Sequence, residues 1–216
     1  MSTVELFAYD RALQARYVIG CDEAGRGCVA GPIVAAGVRF DLDRLDAEVL
    51  QTLRGLGDSK KLTRGARERL APAIAATADA FAVSARSAAE IDRHGIQPAN
   101  MGVLADCLER LWVPGAVALI DGFALTGCHV EHRKLVRGDA TSAAVAAASV
   151  IAKTRRDAMM ARAAALWPRW SFERHAGYGT RAHRQAVAEH GLSPLHRRSF
   201  RIPGAATDDA AARDGR

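Results

Sequence analysis

The chain has 216 residues, 49% of them hydrophobic and 25% charged, which is typical of one soluble globular domain with a small appendage. No apolar run reaches the roughly 18 residues of a membrane-spanning helix, and charged residues among the first ten argue against a signal peptide. We therefore expect a cytoplasmic protein that has no membrane partner. Its net charge of +6 favours polyanions such as nucleic acid, although an ordinary solvated basic surface would give the same charge.

The first predicted elements form a β-hairpin. An apolar, β-branched run from Tyr17 to Asp22 is typical of a buried strand. Glycines at 25, 27 and 31 interrupt regular structure, and residues 32–40 predict a second strand. The glycine-rich stretch is then the connection between the two strands.

The rest of the chain alternates predicted strands and helices. A loop at 55–65 opens into a helix, and a long alanine-rich helix follows the last strand. The order predicts an α/β fold with a mixed β-sheet flanked by helices. The predicted ranges are helices at 64–77, 99–112 and 140–166, and strands at 81–87, 117–122 and 129–136.

The last fifth of the chain differs in composition. From Trp167 onward it is rich in arginine, histidine and aromatic residues, which suggests a small helical C-terminal lobe. We therefore divide the chain into a main α/β domain (1–166), a small helical lobe (167–205) and a disordered tail (206–216). The four cysteines form no CxxC pair, which argues against structural zinc.

Acidic residues end two of the predicted buried strands. Asp22 and Glu23 follow the first strand, Asp121 ends the strand at 117–122, and Asp139 opens the long helix. Carboxylates at one sheet edge are suitable ligands for Mg²⁺ or Mn²⁺. An isolated carboxylate after a strand is more often a turn residue, however, and Asp139 also stands where a helix N-cap would. Neighbouring strand residues point to opposite faces, so Asp22 and Glu23 share a site only if the strand ends or bends there.

Six segments, in the same order, resemble the motifs of bacterial ribonucleases HII. They span about residues 17–200. The segments are Asp22-Glu23-Ala24-Gly25-Arg26-Gly27, Asp58-Ser59-Lys60-Lys61-Leu62, Ile120-Asp121-Gly122, Gly138-Asp139 with the helix segment 147–157, Gly177-Tyr178-Gly179-Thr180, and His196-Arg197-Arg198-Ser199-Phe200.

The resemblance implies a ribonuclease H-like fold and a metal-dependent endonuclease. Such an enzyme hydrolyses the RNA strand of RNA–DNA hybrids and cuts 5′ to single ribonucleotides in duplex DNA, leaving a 3′-hydroxyl and a 5′-phosphate. The implied ligands of two Mg²⁺ or Mn²⁺ ions are Asp22, Glu23, Asp121 and Asp139. The implied partner is nucleic acid, and we expect a monomer.

The same resemblance assigns substrate contacts. It places backbone groups of Gly25 and Gly27, with Arg26, at the 2′-hydroxyl and phosphate of the RNA–DNA junction, and Tyr178 against the neighbouring sugar or base. Glycines permit the close approach that this needs, and the 2′-hydroxyl distinguishes RNA from DNA. An exposed turn residue would look the same as Tyr178.

Basic residues complete the predicted substrate site. Such side chains position a duplex through its phosphates without reading bases, although basic pairs are usually just solvated. Lys153 could contact a phosphate or pair with a carboxylate, and the sequence leaves both open. The candidates for phosphate contact are Lys60, Lys61, Arg197 and Arg198.

Two other functions remain as alternatives. One is a related nuclease that needs several consecutive ribonucleotides. The other is a non-catalytic nucleic-acid binder with the same fold. The acidic set argues against the second, because clustered carboxylates repel DNA unless metal neutralises them.

Overall fold

A computed structural model describes residues 1–202 of the chain. Its centre is a five-stranded mixed sheet in the order β3-β2-β1-β4-β5. The strands are β1 (Tyr17–Ala24), β2 (Ile33–Asp41), β3 (Ala80–Arg86), β4 (Val117–Asp121) and β5 (Arg133–Leu135). The mixed sheet and the flanking helices confirm the predicted fold class.

The sheet joins an antiparallel part to a parallel part at β1. The hairpin of β1 and β2 pairs Tyr17 with Asp41 through to Ala24 with Val34, as predicted, and β3 continues the antiparallel part. On its other side β1 pairs in parallel with β4, and β4 pairs in parallel with β5. Because β1 and β4 run in the same direction, their carboxyl ends lie at the same sheet edge.

Helices cover both faces of the sheet, and their apolar sides form two buried clusters. The long helix α6 packs on one face with α1 and α3, and α5 packs on the other. The helices are α1 (Thr3–Ala12), α2 (Ala47–Thr52), α3 (Arg64–Thr77), α4 (Ala88–His94), α5 (Ile96–Leu111), α6 (Ala143–Leu166), α7 (Phe172–His175) and α8 (Arg181–His190). None of these helices is long and apolar enough to cross a membrane.

Close packing of α6 against β1 depends on one glycine. A Cβ atom at Gly20 would overlap the backbone of Ala144 and Val145. The first turns of α6 are nearly all alanine and fully buried, so helix and strand meet almost backbone to backbone. This contact brings the start of α6 beside the carboxyl end of β1.

The residues after α6 form a small lobe around an aromatic cluster. Trp170 and Phe172 are buried there and stack with 6.4 Å between their ring centroids. The lobe is tied to the loop after β1: the Val29 amide donates to the Gly177 carbonyl, and the Gly31 amide donates to the Leu195 carbonyl. The predicted tail at 206–216 lies outside the described residues.

Some predicted elements differ from the structure in their bounds or were not predicted at all. The strand predicted at 129–136 is only three residues long, because the His132 ring accepts a hydrogen bond from the Leu125 amide and bonds the Val130 carbonyl, which closes a loop instead. The long helix begins at Ala143 instead of residue 140. The sequence analysis also missed the short helices α1, α2 and α4.

Candidate active site

Two aspartates lie side by side where the parallel pairing of β1 with β4 ends. The last paired residues of the two strands are Cys21 and Ile120, so Asp22 and Asp121 follow them in adjoining positions. Asp22 is almost completely buried, and Asp121 is half-buried. Asp121 is held in place because its Oδ1 accepts a 2.7 Å hydrogen bond from the Gly138 amide.

Burial and repulsion both act on the Asp22 carboxyl. Burial, followed by the negative charge of Glu23 and then of Asp121, raises its pKa to about 7, against a stabilising hydrogen bond from Ser149. The pKa of Glu23 is raised by burial, while Arg26 opposes that shift. A divalent cation would relieve the same repulsion, and carboxylate oxygens are the donors that Mg²⁺ and Mn²⁺ prefer.

Glu23 does not mark the end of its strand. β1 continues one residue further, to Ala24, which still pairs with Val34. Glu23 and Asp22 nevertheless line one cleft of about 230 Å³, together with Asp121. The structure therefore brings these three predicted residues to one site.

Asp139 lies in a 3-10 turn (Gly138–Ala140) just before α6. The N-cap of α6 is Ser142, whose hydroxyl accepts from the Val145 amide, so the capping role considered for Asp139 is wrong. The Asp139 carboxyl is buried, and its Oδ2 lies 3.9 Å from the Lys60 ammonium. Burial, Asp121 and Asp58 raise its pKa, which Lys60 partly offsets.

The charge of Asp121 repels each of the other three carboxylates and contributes to the raised pKa of Asp22, Glu23 and Asp139. Lys60 lies within the electrostatic reach of three of them, Asp22, Asp121 and Asp139. Over residues 1–202, no three acidic, histidine or cysteine side chains converge closely enough to hold a metal ion. The donor set suits a hard divalent cation, and its side chains would have to turn towards a common point.

The segment between β1 and β2 (residues 25–32), which we call the glycine loop, forms another wall of the cleft. Its residues Gly25, Arg26 and Gly27 line the cleft. Gly25 has a positive φ of 94°, and a Cβ there would overlap the Arg156 guanidinium. At Gly27, which also lines the cleft, a Cβ would meet nothing within 4 Å, so the space around this position is open. The exposed Arg26 side chain donates to Gln97 Oε1 at 2.8 Å, which the sequence did not indicate.

Tyr178 faces Lys153 on the same cleft. The Lys153 ammonium lies 5.1 Å from the Tyr178 ring centroid and donates to Asp157 Oδ1 at 2.7 Å. Of the two roles left open for Lys153, the structure therefore shows the pairing with a carboxylate. The Tyr178 side chain remains substantially exposed beside this cation, and the residue is 42% exposed.

The predicted phosphate contacts separate into exposed and buried residues. Lys60, Lys61 and Arg198 are exposed. Arg197 is completely buried and donates to the carbonyls of Gly25, Arg26 and Gly31. Its donors are therefore directed into the protein, and the expectation that Arg197 contacts phosphate is wrong.

Two serines belong to the site and were missed. The hydroxyls of Ser59 and Ser149 lie 2.6 Å apart and line the cleft. Ser149 also hydrogen-bonds the Asp22 carboxyl. Ser59 lies in the motif at 58–62 and Ser149 in the helix segment 147–157, so both were within the motifs that resemble the family. Their residue type alone did not predict that Ser149 of α6 would contact Asp22.

Comparison with known proteins identifies the family. The model of the ribonuclease HII family matches residues 19–202. The chain belongs to the ribonuclease HII family. Ribonuclease HII of Chlorobium luteolum is 47% identical over 186 residues, which cover 86% of this chain and 88% of that protein.

Solved structures agree with this assignment. The ribonuclease H2 of Pyrococcus horikoshii aligns with a TM-score of 0.72 and 25% identity, over 86% of this chain and 94% of that chain. Bst-RNase HIII in complex with Mn²⁺ aligns with a TM-score of 0.69 and 22% identity, over 94% and 72%, and shows the shared fold. The chain is thus a ribonuclease H, an endonuclease that acts on RNA–DNA hybrids.

Proposed function

We propose that this ribonuclease H cuts 5′ to single ribonucleotides embedded in duplex DNA, as well as the RNA strand of hybrids, and leaves 3′-hydroxyl and 5′-phosphate ends. One observation carries the proposal. Asp22 and Asp121, which follow the last paired residues of β1 and β4, share a cleft with Gly25, Arg26 and Gly27 of the glycine loop and with Tyr178. Groups suited to metal binding therefore lie beside groups suited to sugar recognition.

The proposed metal ligands are Asp22, Glu23, Asp121 and Asp139. A pair of Mg²⁺ or Mn²⁺ ions, when bound, would polarise the scissile phosphate and generate the attacking hydroxide. Burial and repulsion by neighbouring carboxylates raise the pKa of Asp22, and a bound cation would offset both effects. Bst-RNase HIII, which has the same fold, is known with Mn²⁺.

The chain's own residues prepare the carboxylates for this role. The Gly138 amide fixes one oxygen of Asp121 and leaves the other available to a ligand. Ser149 hydrogen-bonds Asp22, and its hydroxyl is itself hydrogen-bonded to that of Ser59. Lys60 supplies an exposed positive charge at the edge of the cluster, because its side chain is 74% exposed and its ammonium lies 3.9 Å from Asp139 Oδ2.

Recognition of the ribonucleotide falls to the glycine loop and Tyr178. The open space at Gly27 lets a sugar approach the backbone closely. The ribose 2′-hydroxyl can both donate and accept a hydrogen bond, so backbone groups can distinguish it from a deoxyribose. Tyr178 offers an aromatic surface to the adjoining sugar or base, and Lys153 and Arg156 lie against its ring at 5.1 and 5.8 Å.

Exposed basic side chains extend the site along the duplex. In this proposal the exposed residues Lys60, Lys61 and Arg198 contact phosphates without reading sequence. In this proposal the domain at 1–166 carries the carboxylates, and the lobe at 167–205 completes the cleft with Tyr178. One chain supplies every proposed residue, so the enzyme would act as a monomer.

The decisive experiment uses a labelled DNA duplex that contains one ribonucleotide. We expect cleavage immediately 5′ to that ribonucleotide in Mg²⁺ or Mn²⁺ and no cleavage in EDTA. An all-DNA duplex of the same sequence is the negative control, and an RNA–DNA hybrid is the positive control for the family activity. Cleavage of the hybrid with an intact single-ribonucleotide duplex would contradict the proposed substrate rule.

A further inference from the structure

Two arginines are completely buried beneath the glycine loop. Each guanidinium donates three hydrogen bonds to main-chain carbonyls at 2.7–3.1 Å. We call Arg156 and Arg197 the arginine clamp. Within residues 1–202, neither forms an ion pair with a carboxylate. Burial lowers the pKa of Arg197 to about 10.

Stability alone is a poor reason to bury such charges. An uncompensated buried cation is costly, whereas apolar side chains of similar volume would pack at lower cost. What a planar guanidinium offers in addition is a rigid fork of donors that fixes the direction of several acceptors at once. We therefore attribute to the arginine clamp the role of fixing the directions in which the loop's peptide groups point.

Arg197 turns two carbonyls of the loop inward. Its Nη2 lies 2.7 Å from the Gly25 oxygen, and its Nη1 lies 3.0 Å from the Arg26 oxygen. In a planar trans peptide, the N–H of the following residue points in the opposite direction. The amides of Arg26 and Gly27 are thus directed away from Arg197.

These two amides are available to a ligand. Within the described chain, neither the Arg26 nor the Gly27 amide has a hydrogen-bond acceptor in the protein, and both residues are exposed. Both residues line the cleft that holds Asp22 and Asp121. Two successive free amides form a concave donor site for an anionic or hydroxyl oxygen.

Arg156 holds the other end of the same loop. It donates to the carbonyls of Ala30 and Pro32, and also to that of Ala176, two residues before Tyr178. It also packs directly against Gly25, where a side chain would overlap it. One side chain on α6 thereby joins the glycine loop to the segment that carries Tyr178.

We propose that Arg197 is a positioning residue for substrate binding, which directs the Arg26 and Gly27 amides into the cleft, and that Arg156 keeps this loop in register with Tyr178. The inference rests on the proposed function in one respect, namely that the glycine loop contacts substrate. It changes the role of Arg197 from a direct phosphate contact to control of two backbone donors.

The test is Arg197→Lys, with steady-state cleavage of an RNA–DNA hybrid. Lysine keeps the charge, but one ammonium cannot hold three carbonyls in fixed directions. We expect KM to rise about tenfold, the effect of one to two hydrogen bonds, while kcat changes much less. Arg169→Lys, at an exposed arginine of the same lobe, should leave both constants unchanged.

A purely structural role gives a different result. Loss of folded enzyme would lower the melting temperature and the apparent kcat but leave KM of the remaining enzyme unchanged, and that outcome overturns the proposal. Because the assay uses a hybrid, it stays valid even if the wild-type enzyme fails to cut at single ribonucleotides. The two proposals can therefore fail separately.

If Arg197→Lys does not fold, the wild-type protein provides a second test. We expect the Arg26 and Gly27 amides to exchange rapidly with solvent in the free protein and to become protected, with shifted NMR resonances, when hybrid is added in EDTA. An all-DNA duplex serves as the comparison. Amides that are already protected without nucleic acid, or that the hybrid leaves unchanged, would overturn the proposal.

Discussion

The Nε2 atoms of His183 and His196 lie 3.0 Å apart inside the C-terminal lobe. The partners of the other ring nitrogens determine the protonation of both rings. His183 Nδ1 faces the Tyr178 carbonyl and must donate to it, whereas His196 Nδ1 accepts from the Ser193 amide. His196 Nε2 is then the donor to His183 Nε2, and both imidazoles are neutral.

This histidine pair predicts a loss of stability in acid. Burial lowers the pKa of each ring to about 4, while both would titrate near 6.5 in the unfolded chain. Their contribution to the free energy of unfolding is complete above pH 6.5 and is lost as pH falls towards 4, at up to about 1.4 kcal/mol per pH unit for each histidine.

Urea unfolding from pH 7 to pH 4.5 checks this expectation. His196→Asn keeps an acceptor for the Ser193 amide and removes one titrating ring, so its stability should fall less steeply with decreasing pH than that of the parent. Buried carboxyls titrate equally in the variant and the parent, so their contribution cancels in the difference between the two free energies of unfolding. His94→Asn, at an exposed position, should keep the parental slope, and an equally steep His196→Asn curve would contradict the assignment.

Asp10 predicts a pH dependence of the opposite sign. This fully buried carboxylate on α1 accepts from the Ala144 amide at the start of α6, and its Oδ1 has no partner among the described residues. Burial raises its pKa to about 6, against hydrogen bonds from Ser142 and the α6 backbone. The contribution of Asp10 to stability is therefore present below about pH 4 and is lost as pH rises through 6.

Asp10→Asn tests that sign. Asparagine can accept the same bond and does not ionise, so the stability of the variant relative to the parent should improve between pH 4 and pH 6.5 and then stay constant. Denaturant unfolding at both ends of this range measures the difference. A relative stability that declines with rising pH would show that the ionised carboxylate is the favoured form.

Asp121→Asn should abolish metal-dependent cleavage. The amide oxygen can still accept from Gly138, so the fold should be retained, while a neutral side chain binds a divalent cation poorly. We expect at least about a thousandfold loss of activity, the scale of several kcal/mol that metal-ion catalysis contributes. Hybrid binding measured in EDTA should stay near normal, and a fully active variant would exclude Asp121 as a ligand.

Gly20→Ala should destabilise the fold strongly. The added methyl group would overlap the backbone of α6 at Ala144 and Val145, which cannot rotate away as a side chain could. We expect a loss of about 3 kcal/mol or more, at the upper end of overpacking effects. Gly65→Ala is the matched control, because this exposed site in α3 has free space and should gain about 0.5–1 kcal/mol.

Tyr178→Ala should slow cleavage at a single ribonucleotide by about tenfold or more, because aromatic stacking on a nucleotide is worth about 1–3 kcal/mol. Tyr178→Phe keeps the ring and should retain most of that activity. Melting temperatures separate this effect from unfolding, since the half-exposed side chain contributes little to the core. Equal rates for the alanine variant and the wild type would remove Tyr178 from the substrate site.

The sequence predicted those features that follow from local patterns. Apolar runs ending in acid located Asp22 and Asp121, and the glycine stretch predicted the hairpin, because strand period and turn chemistry are local properties. Helix α1 was also predictable in principle, since Ser2 and Glu5 form a capping box there. The start of α6 was misplaced because Asp139 and Ser142 are both good N-cap residues by type.

Burial of charged residues could not be predicted in the same way. Arginine is rarely buried without a partner, so the basic pair at 197 and 198 was interpreted as a surface feature. The acceptors of Arg197 are carbonyls of Gly25, Arg26 and Gly31, which any residue type provides. Likewise Ser149 contacts Asp22 only because α6 packs against β1. This packing is a tertiary contact that no local sequence pattern shows.

The glycine loop and the C-terminal residues that bind its backbone are far apart in the sequence. Gly31 and Arg197 are separated by 166 positions, and Leu195 also closes on the loop from the far end of the chain. Such long-range contacts carry a large loop-closure entropy, because the ends of a long stretch of chain must meet before the contacts can form. During synthesis the residues of the sheet and of α6 are added before Arg197, so the proposed substrate-reading surface cannot be assembled until the last described residues are present.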